Sequence, residues 1–202
     1  MAEDNKSERH KRAMQKQKAS VEQSLALATE ERGLLIFLTG DGKGKTTSAF
    51  GMVLRALGYG QRVGVVQFIK GQQLSGEEIF LRDKLPAVEF VQMGTGFTWD
   101  TQDRSADIAA AESTWAQAKQ LLQRDDLDLL VLDELTYMFA YRYLDEAEVL
   151  DSIVQRPEKM SVIVTGRGGG SGLRELADTV SEVKDIKHAY RSGLRARKGV
   201  DY

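Results

Sequence analysis

The sequence predicts an α/β fold in which a mostly parallel β-sheet is covered by helices on both faces. Three observations carry that expectation. Short apolar runs of strand length, such as Leu34–Leu38 and Leu129–Leu132, alternate with stretches of helical character. Those runs are apolar throughout, as strands buried on both faces are. A glycine-rich turn, Thr39–Gly44, stands between the first run and the first helix.

Taken in order, Leu34–Leu38 is the first strand, and a helix over Lys45–Leu57 follows the turn, closed by Gly58 and Gly60. Val63–Ile69 and Val88–Gln92 are the next strands. Ser105–Gln123 is a long alanine-rich helix with Ser105 as its N-cap and Asp107 in its first turn. Leu127–Leu132 is a buried strand and Asp145–Val154 a helix. Ser161–Thr165 is a further strand, ended by the glycine cluster Gly166–Gly172. No repeat and no second domain interrupts this order. The expected organisation is a basic arm over residues 1–32 and one domain over residues 33–202.

Composition narrows the function classes. The 202 residues suffice for one domain with a proper core, and 42% hydrophobic with 29% charged residues is a globular balance. A formal net charge of −2 gives no reason to expect a nucleic-acid or membrane partner for the whole chain. Cysteine is absent, which excludes disulfides, thiolate metal ligands and a cysteine nucleophile. The front of the chain lacks the apolar stretch of a secretory signal, and the apolar runs are too short to span a bilayer. The expectation is a soluble, cytoplasmic protein.

The arm differs from the rest. Lys6, Arg9, Lys11, Arg12, Lys16 and Lys18 crowd it, and no glycine or proline precedes Gly33, so it can be helical. It reads either as a solvated tail or as a basic helix that covers something anionic.

The string Thr39-Gly40-Asp41-Gly42-Lys43-Gly44-Lys45-Thr46-Thr47 is the strongest chemical signal. Its glycines let backbone N–H groups approach phosphate oxygens, and the following helix N-terminus adds a favourable dipole. Lys45 supplies a mobile positive charge, and the Thr46 hydroxyl is suited to Mg²⁺. The usual phosphate-loop pattern begins with Gly, whereas this chain has Thr39. A second signal is Leu129–Leu132 followed by Asp133 and Glu134, an apolar strand that delivers carboxylates to the metal side of such a loop. Together they predict a P-loop NTPase-like, RecA-like domain.

The string Thr39–Gly51 resembles the nucleotide loop of the P-loop corrinoid adenosyltransferases, including its opening threonine. Similar blocks follow in order: Gln67–Gly71, Gly96-Phe97-Thr98-Trp99, Leu132–Leu135, Thr165-Gly166-Arg167, and Lys187-His188 through Lys198–Tyr202. The resemblance runs from about Gly33 to the C-terminus. Gly168–Gly172 is a local departure, richer in glycine than the family pattern.

The resemblance implies transfer of the 5′-deoxyadenosyl group of ATP to a Co(I) corrinoid, with release of triphosphate. It implies that Thr39–Thr47 and Arg55 bind the nucleotide, and that Lys45 neutralises the departing triphosphate with Lys43 and Mg²⁺. Thr46 and Glu134 would hold that metal. Phe97 and Trp99 would displace the lower axial ligand of cobalt. The corrinoid would be cobalamin, cobinamide or cobyrinic acid a,c-diamide. An external reductant, for which a flavoprotein is a candidate, would supply Co(I). The resemblance also implies a homodimer in which the arm helps cover the corrinoid site. His188 is left as a structural residue or a substrate-edge contact.

Two other readings stay open on the residues alone. A P-loop NTPase or kinase would use the same carboxylates and release ADP. A nucleotide-gated binding module would dock its basic arm, Lys6–Lys18, on nucleic acid or another protein, and a salt-dependent affinity for DNA or RNA would favour it.

Overall fold

The computed structural model describes residues 2–69, 74–94 and 103–202, with side chains from residue 6 onward. It divides into two compact units, Met1–Glu31 and Arg32–Tyr202. The first is one helix, α1 (Ala2–Leu27), whose described side chains are exposed and carry the i,i+4 pairs Arg12–Glu8 and Lys18–Glu22. Such exposed pairs support helicity by a few tenths of a kcal/mol, about 0.3–0.5 each.

The second unit is built on a six-stranded sheet in the order β3-β2-β4-β5-β1-β6. Its strands are β1 (Leu35–Thr39), β2 (Val63–Gln67), β3 (Glu89–Gln92), β4 (Leu129–Asp133), β5 (Ser161–Thr165) and β6 (Thr179–Glu182). Every pairing is parallel, so the sheet is uniformly rather than mostly parallel. The helices are α2 (Lys45–Gly58), α3 (Gly76–Lys84), α4 (Arg104–Leu122), α5 (Thr136–Ala140), α6 (Glu146–Val154) and α7 (Ser171–Leu176), followed by a 3₁₀ turn at Ala189–Ser192.

The alternation of side chains splits the core in two. Leu130 and Leu132 of β4 face one cluster, with Phe37, Phe68, Trp115 of α4 and Ile153 of α6. Leu129 and Val131 face the other, with Phe50 and Val53 of α2 and Leu81 of α3. This arrangement requires strands apolar on both faces and brings every strand's carboxyl end to one edge.

The sequence reading needs small corrections. Helix α4 starts at Arg104, and its N-cap is Asp103, whose Oδ1 accepts from the Ser105 and Ala106 N–H groups; Ser105 is not the cap. Asp145 caps α6 through Glu148 N–H. Helix α2 closes at Gly60, whose φ of 74° suits glycine. Sequence reasoning missed α3, the short helices α5 and α7, and β6. The last is an edge strand whose four residues are all exposed, so it lacks an apolar pattern.

Candidate active site

The loop between β1 and α2 owes its shape to the segment after β6. Val183 N–H donates to the Thr39 carbonyl, and the Val183 carbonyl accepts from Gly42 N–H at 2.8 Å. A Cβ at Gly40, where φ is 98°, would lie 2.4 Å from that carbonyl oxygen; one at Gly42 would lie 2.7 Å from the Lys184 oxygen. These two glycines are therefore fixed by the neighbouring backbone as well as by phosphate access. Gly42 N–H is committed to the Val183 carbonyl.

Lys45 opens α2 and is only 4% exposed. Its Nζ donates to the Gly40 carbonyl at 2.6 Å and the Gly42 carbonyl at 3.0 Å, so it lies across the mouth of the loop. Burial holds the ammonium below the usual lysine value, and the nearby Arg167 guanidinium adds to the effect. A phosphate anion beside it would favour the charged form and oppose both influences.

Two strand ends and the first turn of α2 converge on Asp133, which is fully buried. Its Oδ1 accepts from Thr165 Oγ1 of β5 at 2.7 Å and from Thr46 Oγ1 of α2 at 3.0 Å. Its Oδ2 accepts from Gln67 Nε2 of β2 at 2.8 Å. The register that pairs Gln67 with Asp133 makes this possible. Each bond to a charged acceptor is worth about 1.5–3 kcal/mol, which offsets the cost of burying the carboxylate. The next residue, Glu134, turns the chain with a φ of 59°, and its N–H donates to Thr165 Oγ1. A non-glycine residue there costs on the order of 1 kcal/mol.

Lys43, Lys45, Thr46, Glu134, Arg167 and His188 share one cavity of about 540 Å³, a size suited to a nucleotide. Gly42, Gly44 and Thr47 also line it. Its far wall is the chain end, Gly199–Tyr202, where Asp201 Oδ1 sits 3.3 Å from Lys43 Nζ. Arg197 N–H, then Lys43, hold the Asp201 carboxyl below the usual range. Arg167 reaches the cavity because Gly166 allows close approach: a Cβ there would lie 2.0 Å from Thr136 Oγ1. Gly168, Gly169 and Gly170, with φ of 59°, 64° and 69°, then carry the chain into α7. The glycine-rich departure is thus a run of left-handed residues that few side chains tolerate.

Not every expected residue meets there. Thr39 is a buried strand end, Asp41 is exposed at the loop's tip, and neither they nor Gly40 line the cavity. Arg55 is exposed in the last turn of α2, ten residues beyond Lys45, or roughly 15 Å along the helix axis; it is not among the lining residues. Phe97 and Trp99 lie outside the described residues. His188 accepts from Tyr190 N–H through Nδ1, capping the 3₁₀ turn while lining the cavity. Arg167, His188 and Asp201 stand in the motif blocks quoted above, but nothing in their spacing announced that they would converge.

Comparison with known proteins follows this geometry. The model of the ATP:corrinoid adenosyltransferase family BtuR/CobO/CobP matches residues 31–202. The corrinoid adenosyltransferase of Pseudomonas aeruginosa is 50% identical over 197 residues, covering 98% of this chain and 97% of that protein. That of Escherichia coli strain K12 is 50% identical over 195 residues, covering 96% and 98%. That of Sinorhizobium sp is 42% identical over 196 residues, covering 96% and 92%. A match across the whole second unit, together with relatives this similar over nearly their full length, assigns the chain to the ATP:corrinoid adenosyltransferase family.

Proposed function

We propose that the chain transfers the 5′-deoxyadenosyl group of ATP to the Co(I) centre of a corrinoid and releases triphosphate. The observation that carries this reading is the gathering of Lys43, Lys45 and Arg167 around one cavity beside Thr46 and Glu134. Two loop lysines and an arginine from beyond β5, all lining one cavity, suit a leaving group of high negative charge. In the reaction the C5′–oxygen bond breaks, its electron pair leaves with triphosphate, and the cobalt–carbon bond forms with both electrons from Co(I). No proton moves at carbon, so His188 needs no acid–base role. Its structural cap suffices.

The donors beside the loop fit a hard divalent cation. Thr46 and Asp133 offer oxygen donors in contact, and Glu134 follows on the same edge. Among the described residues no group of three or more acidic, histidine or cysteine side chains stands ready for a metal. Mg²⁺, which keeps waters and takes its other ligands from substrate phosphates, suits so sparse a set. Thr46 and Glu134 would hold it, with Asp133 orienting Thr46. When bound it would neutralise phosphate charge. Lys45 exchanges its carbonyl partners for phosphate, and the nearby Arg167 adds a second charge to the same cavity.

By resemblance, Phe97 and Trp99 face the cobalt, an external reductant such as a flavoprotein supplies the electron, and the enzyme works as a cytoplasmic homodimer. No described helix is long and apolar enough to cross a membrane. The decisive experiment follows phosphorus NMR with MgATP and a chemically reduced corrinoid. Triphosphate should appear in step with the adenosylated corrinoid, and ATP alone should stay largely intact. ADP and orthophosphate forming at a rate indifferent to corrinoid would return the site to an ordinary NTPase.

A further inference from the structure

A second cavity of about 530 Å³ opens behind the first and shares Lys43, His188, Val200 and Asp201 with it. Its own walls are Lys187, Arg195 and Arg197, over a floor of Ala189, Leu194 and Val200. Leu194 and Val200 are 62% and 66% exposed. Among the described residues, no carboxylate lies within salt-bridge distance of Lys187, Arg195 or Arg197; Asp201, the sole acidic lining residue, is engaged by Lys43. Cations that outnumber the one, already engaged carboxylate in a concavity repel one another and raise the local potential for an anion. The apolar floor favours an anion carried on an apolar body over a free inorganic ion. Because the cavity adjoins the phosphate site, whatever fills it lies close to the reacting nucleotide.

We propose that this cavity is a subsite for an oxyanion on the periphery of the corrinoid, a side-chain carboxylate or the phosphodiester of a nucleotide loop. The proposal rests on the adenosyltransferase reading and adds a charge preference to it. The preference belongs to binding, so it appears in KM more than in kcat.

The test compares three Co(I) corrinoids: cobyrinic acid a,c-diamide, which carries carboxylates, cobalamin, which carries a phosphodiester, and cobinamide, which carries neither. The double variant Lys187→Glu, Arg195→Glu reverses two exposed charges that do not line the phosphate cavity. Its KM for an anionic corrinoid should rise roughly tenfold relative to its KM for cobinamide. Lys187→Arg with Arg195→Lys should restore the wild-type ratio. A rise confined to cobyrinic acid a,c-diamide identifies a carboxylate subsite, and one confined to cobalamin identifies a phosphodiester subsite. An unchanged ratio, with all three KM values moved alike or not at all, overturns the proposal. If the wild-type protein adenosylates none of the three, the functional reading falls and takes the subsite with it.

Discussion

Lys45 illustrates how a residue can serve chemistry at a cost to the fold. Its ammonium is nearly buried, held by two carbonyls and placed near a guanidinium, so its charge is harder to keep than that of a surface lysine. Replacing it with methionine keeps the apolar stem and removes the desolvated charge. Lys45→Met should therefore melt at or above the wild-type temperature while turnover falls by a factor on the order of 10² or more. Thermal melting and initial rates on the same preparations check both halves; a large drop in melting temperature would make Lys45 a structural residue. The loop was legible in the sequence because glycine, lysine and threonine at that spacing have a specific physical use. The partners of Asp133 were not. Thr165 and Gln67 are ordinary strand residues until the sheet register puts their side chains on one carboxylate.

At the scale of elements, the start of β1 is tied by one carboxylate. Asp178, just before β6, accepts from Leu35 N–H at 2.8 Å and from both terminal nitrogens of Arg32. Arg32 first, then the Leu35 amide, pulls the carboxyl down to about 2. An aspartate in the unfolded chain titrates near 3.9, roughly the model-peptide value. The folded value is depressed, so the contribution is complete above about pH 4 and is lost as pH falls through about 2. Asp178→Asn should lower the melting temperature by a constant few degrees from pH 5 to 8, and the gap to wild type should close below pH 4. Melting curves across that range decide it; a gap that persists at pH 2 would mean that the loss comes from the amide's geometry. Strand β6 could not be read from sequence for the same reason that it needs such a tie. It is an exposed edge held by backbone pairing to β1 and by few apolar contacts.

At the scale of the whole molecule, alternating strands and helices revealed the class of fold but not the order of strands. Apolar runs look alike to a reader of sequence, and which run lies beside which depends on connections that periodicity does not record. The contrast between the two units has a basis in the sequence, because the arm lacks both apolar runs and glycine. Arg32 is the exception, since its guanidinium belongs to Asp178 and hence to the second unit. A protein beginning at Arg32 should fold and bind ATP with wild-type affinity, while its KM for corrinoid rises severalfold, if the arm serves the corrinoid. One residue shorter, it should lose stability as well. Calorimetric ATP titration beside corrinoid kinetics separates these outcomes, and unchanged kinetics for both substrates would make the arm a solvated tail.

The backing that Val183 and Lys184 give to Gly40 and Gly42 has a consequence in time. The loop residues leave the ribosome early, yet the carbonyls that shape them come about 140 residues later in the chain. Such a long separation makes this contact one of the slow ones to close, after the more local pairing of β2 with β3. A nascent chain halted after β5 carries the whole phosphate-binding string but not the backbone against which it takes shape. Nucleotide affinity should therefore wait for the segment after β6, and a chain that lacks that segment should compete poorly for ATP.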